Sequence, residues 1–285
     1  MDSNMFTVLP MSQRFSLKPG EVYKGSITVV NPVDATEDFA YKVAVVPYGV
    51  AGQDYQADLI TDSDHTAIAK WIELEEPTGK IKPNESKEIK FTITVPKNAP
   101  AGGQYAALTV TSNNDASNSE GVAIQNVFEM ASIIYGSVAG KTEYIGEVQE
   151  NNIPGFVVTA PVTLSALISN EGNVHMDATF VITVTDFFTG RVILPTEDNE
   201  GQYSEVIMPE TTRFVEREVN NLPALGVVKI NQTIYYNGTV STEEKDVIIC
   251  PIWFLALLAV TVCAIIGTII HLIVKHHKNK RRIEE

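Results

Sequence analysis

The sequence predicts an all-β body of two tandem β-sandwiches followed by one C-terminal transmembrane helix. Three observations carry this reading. Short apolar segments of period two, punctuated by Gly, Pro, Asn and Asp, recur across residues 1–246. No extended 3.6-residue period appears among them. Residues 247–274 then form an apolar run with no charge other than the ionisable His271, longer than the roughly 20 residues that cross a bilayer. The expected division is 1–140 for the first module, 141–246 for the second, 247–274 for the span and 275–285 for a basic tail.

The first module opens with "EVYKGSITVVN", a strand that stops at the turn signal Asn31-Pro32. The segment 39–50 places Phe39, Tyr41, Val43 and Val45 on one face, and 86–96 does the same with Ile89, Phe91, Ile93 and Val95. Residues 103–112 alternate Tyr105, Ala107 and Thr109 with Ala106, Leu108 and Val110, the pattern of a strand with two unlike faces. Residues 63–74 offer the one segment suited to a helical turn before a strand. The polar run 112–121 holds no apolar side chain large enough to anchor it and reads as a solvated hairpin loop. In the second module, strands are expected at 160–170, 178–186, 211–219 and 226–236, behind a glycine-flanked polar stretch at 140–155. This rhythm of short strands and turns is that of an antiparallel sandwich.

The span carries Pro251 near its start, where a helix lacks a partner for that N–H anyway, and Trp253 at the expected interface. Lys275, Lys278, Lys280, Arg281 and Arg282 follow, so the positive-inside rule puts this end in the cytoplasm and the body outside, the competing reading being a tail-anchored topology with the body in the cytosol. The localisation expected is a single-pass cell-membrane protein with its second module next to the bilayer. The first residues show no basic start followed by an apolar core, so the natural signal peptide is expected to be absent from this chain.

Charge and cysteine usage narrow the function. The chain carries a net −14, while residues 275–285 hold five Lys/Arg against two Glu, which leaves −17 for the rest. Such a body is repelled by a phosphate backbone, so no nucleic-acid partner is expected. Both cysteines, Cys250 and Cys263, lie in the apolar run, so the body has no disulfide and no thiolate ligand. A cysteine-free exterior leans towards a bacterial surface.

"FSLKPGEVYKGSITVVNPVDATEDF" and "VPKNAPAGGQYAALTV" resemble the first module of the WxL-interacting surface proteins of Gram-positive bacteria. "ISNEGNVHMDATFVITVTDFFTGRV" and "VIMPETTRFVEREV", followed by a helix and basic tail, resemble the second. The match covers most of the chain, and the second module here is the more compact. The resemblance implies two immunoglobulin-like modules, the first of peptidoglycan-binding type. It also implies partners among cell-wall polymer and surface proteins of WxL type, and an adhesive role. No wall-binding residue carries over. The residues that mark the fold are the turns Pro19, Gly20, Asn31, Pro32, Gly102, Gly103, Asn170, Gly172 and Asn173.

A search for chemistry yields no catalytic, cofactor or metal site. "TDSDH" spaces Asp62 and Asp64 as a calcium loop does but lacks its glycine and distal glutamate. "YGSVAG" has the wrong order for a nucleophile elbow. His65 and His175 stand in unrelated stretches with no third ligand nearby. The densest polar stretch, "SNEGNVHM", reads as a bend between strands. Sequons occur at Asn84, Asn231 and Asn237, without weight in a bacterium. The function expected is therefore non-enzymatic binding at the cell surface, with no cofactor. The alternative is a structural subunit of an envelope membrane complex that packs Gly267, Thr268 and His271 against partner transmembrane helices.

Overall fold

The computed structural model describes residues 6–112, 129–194 and 201–283, with side chains described as far as 274. Most of the expected polar loop at 112–121 lies outside them. The regular structure of the described residues is β-strand throughout, apart from one 3-10 turn and one apolar C-terminal helix. It divides into two compact units.

The first unit comprises Met1–Glu147 together with Ile168–Asp177 and Val206–Phe214. Its strands are β1 (Thr7–Leu9), β2 (Ser12–Leu17), β3 (Val22–Val30), β4 (Phe39–Pro47), β5 (Gly49–Ala51), β6 (Gln56–Asp58), β7 (Ile72–Leu74), β8 (Thr78–Ile81), β9 (Ser86–Thr94), β10 (Gly102–Ser112) and β11 (Glu129–Val138). One sheet runs β1-β3-β9-β7 and the other β2-β11-β10-β4-β8, with β5-β6 a separate hairpin. All pairs are antiparallel except β2 with β11, which run parallel. The period-two residues explain the sandwich. Ile27, Val29, Ile89, Phe91 and Ile93 from one sheet meet Tyr41, Val43, Leu108, Val110 and Ile134 from the other in a single buried cluster. A 3-10 turn, Ala67–Lys70, precedes β7 and drops Ile68 into that core.

Strand β10 departs from the expected two-faced pattern. Gly102 to Val110 are all buried, so the face with Tyr105, Ala107 and Thr109 is covered as fully as the core face. Alternation in sequence distinguishes two faces but not solvent from a second layer. Here Tyr105 packs with Tyr135 and Met208, and Tyr48, Val50, Tyr55, Ile133 and Val206 surround them.

The second unit comprises Val148–Leu167, Ala178–Glu205 and Val215–Glu285. The remaining strands are β12 (Gly146–Asn152), β13 (Phe156–Val157), β14 (Val162–Asn170), β15 (Met176–Asp186), β16 (Val192–Leu194), β17 (Gln202–Ile207), β18 (Thr211–Val219), β19 (Gly226–Tyr236) and β20 (Thr239–Ile249). A three-stranded sheet, β12-β14-β18, and a six-stranded one, β13-β20-β19-β15-β16 with β17 also on β15, supply the core. Val162, Leu164, Ile182, Val184, Val228, Ile230, Val247 and Ile249 fill it. The β19–β20 hairpin closes on Asn237-Gly238, both at positive φ (49° and 75°), the backbone that a two-residue turn between twisted strands requires.

The apolar run divides where the sequence shows no break in hydropathy. Val247 and Ile249 belong to β20 and are fully buried, whereas the helix α1 spans Ile252–Ile283. The span expected from residue 247 therefore starts five residues later. Ile252–Val274 has a mean hydropathy of 2.6, and none of it is buried. The helix continues through the basic stretch at 275–283.

Leu108 on β10 is completely buried. Leu108→Ala should lower the unfolding free energy of the micelle-solubilised chain by about 2–5 kcal/mol in urea titration. Lys90→Ala, on the exposed face of β9, should change it by less than about 0.5 kcal/mol. Equal effects would place β10 outside the core.

Candidate functional site

The polar bend at 169–176 and the strands it covers form the densest network of specific contacts in the first unit. Asn170 is buried, and its amide nitrogen donates to the carbonyls of Val174 (2.9 Å) and Ile207 (3.0 Å). Its oxygen accepts the Gly172 N–H at 3.0 Å. Asn173 accepts the Glu143 N–H at 2.8 Å and donates to the Lys141 carbonyl at 3.0 Å, and its own carbonyl accepts the Gly103 N–H at 2.7 Å. Gly172 is required for closeness rather than for an unusual torsion. A Cβ there would lie 2.2 Å from the Glu143 carbonyl oxygen.

His175 stands at the centre of an aromatic cluster. Tyr105 and Tyr135 pack against its ring at centroid distances of 5.6 and 5.2 Å. The Tyr105 hydroxyl accepts the His175 backbone N–H at 2.9 Å and lies 3.2 Å from the ring Nδ1, to which it donates in the tautomer that carries its proton on Nε2. Gly103 leaves the room for it, since a Cβ there would collide with the hydroxyl. Burial first, and the Arg14 charge second, push the His175 pKa down to about 4, against a smaller opposing effect of Asp177. Burial likewise raises the Tyr105 and Tyr135 hydroxyls well above their ordinary range. Arg14 clamps Asp177 through two 2.6 Å hydrogen bonds, which hold that carboxyl below its usual value. Nearby, Tyr55 accepts the Met208 N–H at 3.0 Å, contacts the Thr211 hydroxyl and lies under Arg213, 4.6 Å from its ring.

Chemically this cluster is a closed joint. Asn170, Asn173, Arg14, Asp177 and the Tyr105 hydroxyl in it are committed to neighbours, while the buried Ser169 hydroxyl has no partner among the described residues. Among the described residues no group of three His, Cys, Asp or Glu converges as a metal site. Asp62 of the "TDSDH" loop pairs with Lys70 at 2.9 Å, and His65 contacts the Gly103 carbonyl at 2.9 Å through Nδ1. Two clefts lie among the described residues. One of about 270 Å³ is lined by Ile182, Leu194 and residues 217–221, the other of about 300 Å³ by Glu75, Glu76, Lys87, Glu88 and Lys90. Neither pairs a nucleophile with a base.

The remaining turn residues sit at strand ends. Pro19-Gly20 turns the chain between β2 and β3, with Gly20 at φ +83° and its N–H bonded to the Val95 carbonyl. Asn31 is buried and donates to the carbonyls of Glu37 and Ile81, each at 3.0 Å, and the Pro32 carbonyl accepts the N–H groups of Ala35 and Asn84. Gly102 opens β10 at φ +117°. Of the anchor residues, the Pro251 carbonyl accepts the first helical N–H groups, from Phe254 and Leu255, and Trp253 is exposed against Phe254. Lys275, Arg281 and Arg282 lie on the helix, where side chains are outside the described residues.

The exposed alternation of the first module predicts a sheet edge open to strand addition, without showing which strand supplies it; in the five-stranded sheet β2 is an end strand. Strand β2 pairs only with β11 among the described strands. The Met11 and Leu17 carbonyls accept the N–H groups of Ile133 and Ala139, so the odd-numbered residues face β11. By alternation, the backbone groups of Ser12, Arg14 and Ser16 point outward. Their side chains are exposed, and Arg14 is the strand's one charge. The nine-residue edge strand β18 carries Arg213, Glu216, Arg217 and Glu218, and β12 carries Glu147 and Glu150. Charges of that kind blunt an edge against pairing, whereas β2, like the six-residue β17 with Glu205, carries a single one. Its signal in the sequence was the uncharged alternation of Ser12, Gln13, Phe15 and Ser16.

No protein-family model matches the sequence, and no curated protein does. Among solved structures, the chaperone–tip adhesin complex of CFA/I fimbriae is 13% identical, over 85% of this chain and 98% of that one, at a TM-score of 0.42. The class 5 fimbriae chaperone CfaA is 14% identical, over 85% and 99%, at 0.41, and the Escherichia coli chaperone DraB 13%, over 86% and 99%, at 0.39. The resemblance to WxL-interacting surface proteins is thereby overturned: its family is matched by no model, and the similar structures are fimbrial chaperones. The physical reason lies in the motifs themselves. Pro19-Gly20 and the Asn170–Asn173 bend terminate and cover strands, tasks that many unrelated sandwiches share.

Two outcomes follow from the bend. Asn170→Asp removes both amide donors and strands the Val174 and Ile207 carbonyls, so urea titration should show a loss of about 2–4 kcal/mol. For His175, the folded pKa of about 4 lies below the ordinary 6.5, so the unfolded chain binds the extra proton between those values. Its contribution is complete above about pH 6.5 and is lost as pH falls towards 4, about 3 kcal/mol in all. Stability measured from pH 7 to 4 should therefore fall more steeply in the parent than in His175→Gln. Parallel profiles would show the ring to be solvated.

Proposed function

We propose that this chain is a non-catalytic, single-pass membrane protein whose β-sheet body lies outside the cell and binds a protein partner by strand addition at β2. The observation that carries the binding step is the outward row of backbone groups at Ser12, Arg14 and Ser16, on a six-residue edge with one charge. An extended partner segment laid along that edge gains main-chain hydrogen bonds, while the exposed side chains select its sequence. Support for the anchor comes from Ile252–Val274, exposed and apolar over 23 residues, with the basic stretch 275–283 behind it. The net −14 of the chain speaks against nucleic acid, and the closed polar bend speaks against catalysis.

The test places a photo-crosslinking residue at Ser12 of the full chain in its own membranes, with and without Ser16→Pro. Proline removes the outward N–H at 16 without touching a bond to β11. The expected result is a defined protein adduct that Ser16→Pro reduces at least tenfold at unchanged thermal stability. An adduct indifferent to Ser16→Pro overturns the edge as the binding surface. Retention of both forms on purified wall polymer, with no protein adduct, would move the ligand from protein to polymer.

A further inference from the structure

The second unit exposes large apolar side chains at one end, and that end is the one from which α1 departs. Register fixes this. Asp186 at the close of β15 pairs with Val228, and Val228 pairs with Val247 of β20, so these three lie level. Beyond that level come the turn 187–190, Leu225 before β19, and the last residues of β20. Phe156 pairs with Ile248 at the same end, and Val192 sits opposite Thr185. Phe156, Phe187, Phe188, Val192, Leu225 and Ile248 are all exposed, Phe188 by 78%. Among the unit's described strand and turn residues, exposed apolar side chains of this size at the other end are Tyr235 and Val240.

We propose that this end is a membrane-contact surface, with Phe187 and Phe188 seated in the headgroup region of the leaflet that α1 enters. The proposal rests on reading Ile252–Val274 as a membrane span. Connectivity supplies the occupant. Ile249 ends β20, the Cys250 N–H still bonds the Val157 carbonyl at 2.9 Å, and Ile252 begins the helix. With two intervening residues, the sheet end stands within about 10 Å of the point where the chain enters the bilayer. Strand β15 is two strands from β20, about 10 Å to the side, and Phe188 extends two residues past the level of Val247. That depth matches the interfacial layer in which Trp253 is expected, a layer that favours aromatic rings.

The turn itself is built for such a place. Phe187 and Phe188 pack edge to face at 5.3 Å and present one apolar tip. The Asp186 carboxylate accepts the N–H groups of Phe188 and Thr189 and the Thr189 hydroxyl at 2.7–3.1 Å, so its charge is spent inside the turn. Lys229, at the same end, is paired with Glu244 and Asp246. Arg191, exposed beside the turn, suits anionic headgroups.

The experiment uses the full chain with Cys250 and Cys263 changed to alanine, reconstituted in phosphatidylcholine–phosphatidylglycerol vesicles. Single spin labels are placed through Phe188→Cys, Leu258→Cys and Thr239→Cys, and collisions with oxygen and with a water-soluble nickel chelate are compared. The expected result is lipid-type access at 188, shallower than at 258, and aqueous access at 239. Aqueous access at 188 with lipid access at 258 overturns the contact and leaves the span intact, as does shielding of 188 from both reagents by protein. Aqueous access at 258 overturns the span and the contact with it. A second readout keeps both cysteines: Phe188→Trp with Trp71→Phe and Trp253→Phe, which leaves one tryptophan, should be quenched at least twofold by brominated lipid, and absence of quenching overturns the proposal.

Discussion

The Tyr105 hydroxyl is the constraint on which the first unit turns. Burying a phenol without a partner costs several kcal/mol, so the strand that carries it needs a hydrogen-bonding cover on that face. The cover is the 169–176 bend, delivered by the His175 N–H. Everything around this contact follows from it. Gly103 makes space for the hydroxyl, Asn173 ties the bend back to the Gly103 N–H, and Asn170 holds the bend in shape through three hydrogen bonds. His175 is neutral because the same packing removes its water. A polar cluster that looks like a reaction centre is thus the cap on a buried strand.

Strands were legible in the sequence because period two is imposed locally by the pleat. Ile89, Phe91, Ile93 and Val95 alternate with polar residues and are buried to within 2% exposure. What covers a face was not legible, because it depends on residues far along the chain. Ala106, Leu108 and Val110 announced a core face, but nothing near Tyr105, Ala107 and Thr109 announced that Met208 and His175 would close the other. Gly172 shows the same limit at one residue. A glycine in a polar bend suggests a torsion, whereas the structure requires it for the approach of Glu143, 29 residues earlier.

Edges were the other gap. Which strand ends a sheet is a property of topology, and β2 becomes an edge because it pairs parallel with β11, which follows it by more than a hundred residues. Composition then separates edges that invite a partner from those that refuse one. Four charges along β18 act as a guard, and their scarcity along β2 leaves its outward N–H and C=O groups available. The guard would be superfluous if all edges were shielded from other chains.

The apolar run at 247–274 shows how one hydropathy signal can hold two structures. Val247 and Ile249 are apolar because they face a sheet core, and Ile252 onward because they face no protein at all. Average hydropathy cannot separate these causes, but Pro251 does. It has no N–H to extend the ladder beyond Cys250, and its fixed φ suits the entry to a helix. Sheet pairing therefore stops and the helix begins within two residues, leaving no length for a flexible linker. If the helix is the membrane span proposed above, a sheet joined so tightly to it would be held against the surface that it enters. On that reading the apolar side chains at that end of the sheet would face either lipid or a partner held at the same depth, and two phenylalanines on a turn whose carboxylate is already satisfied would fit the lipid.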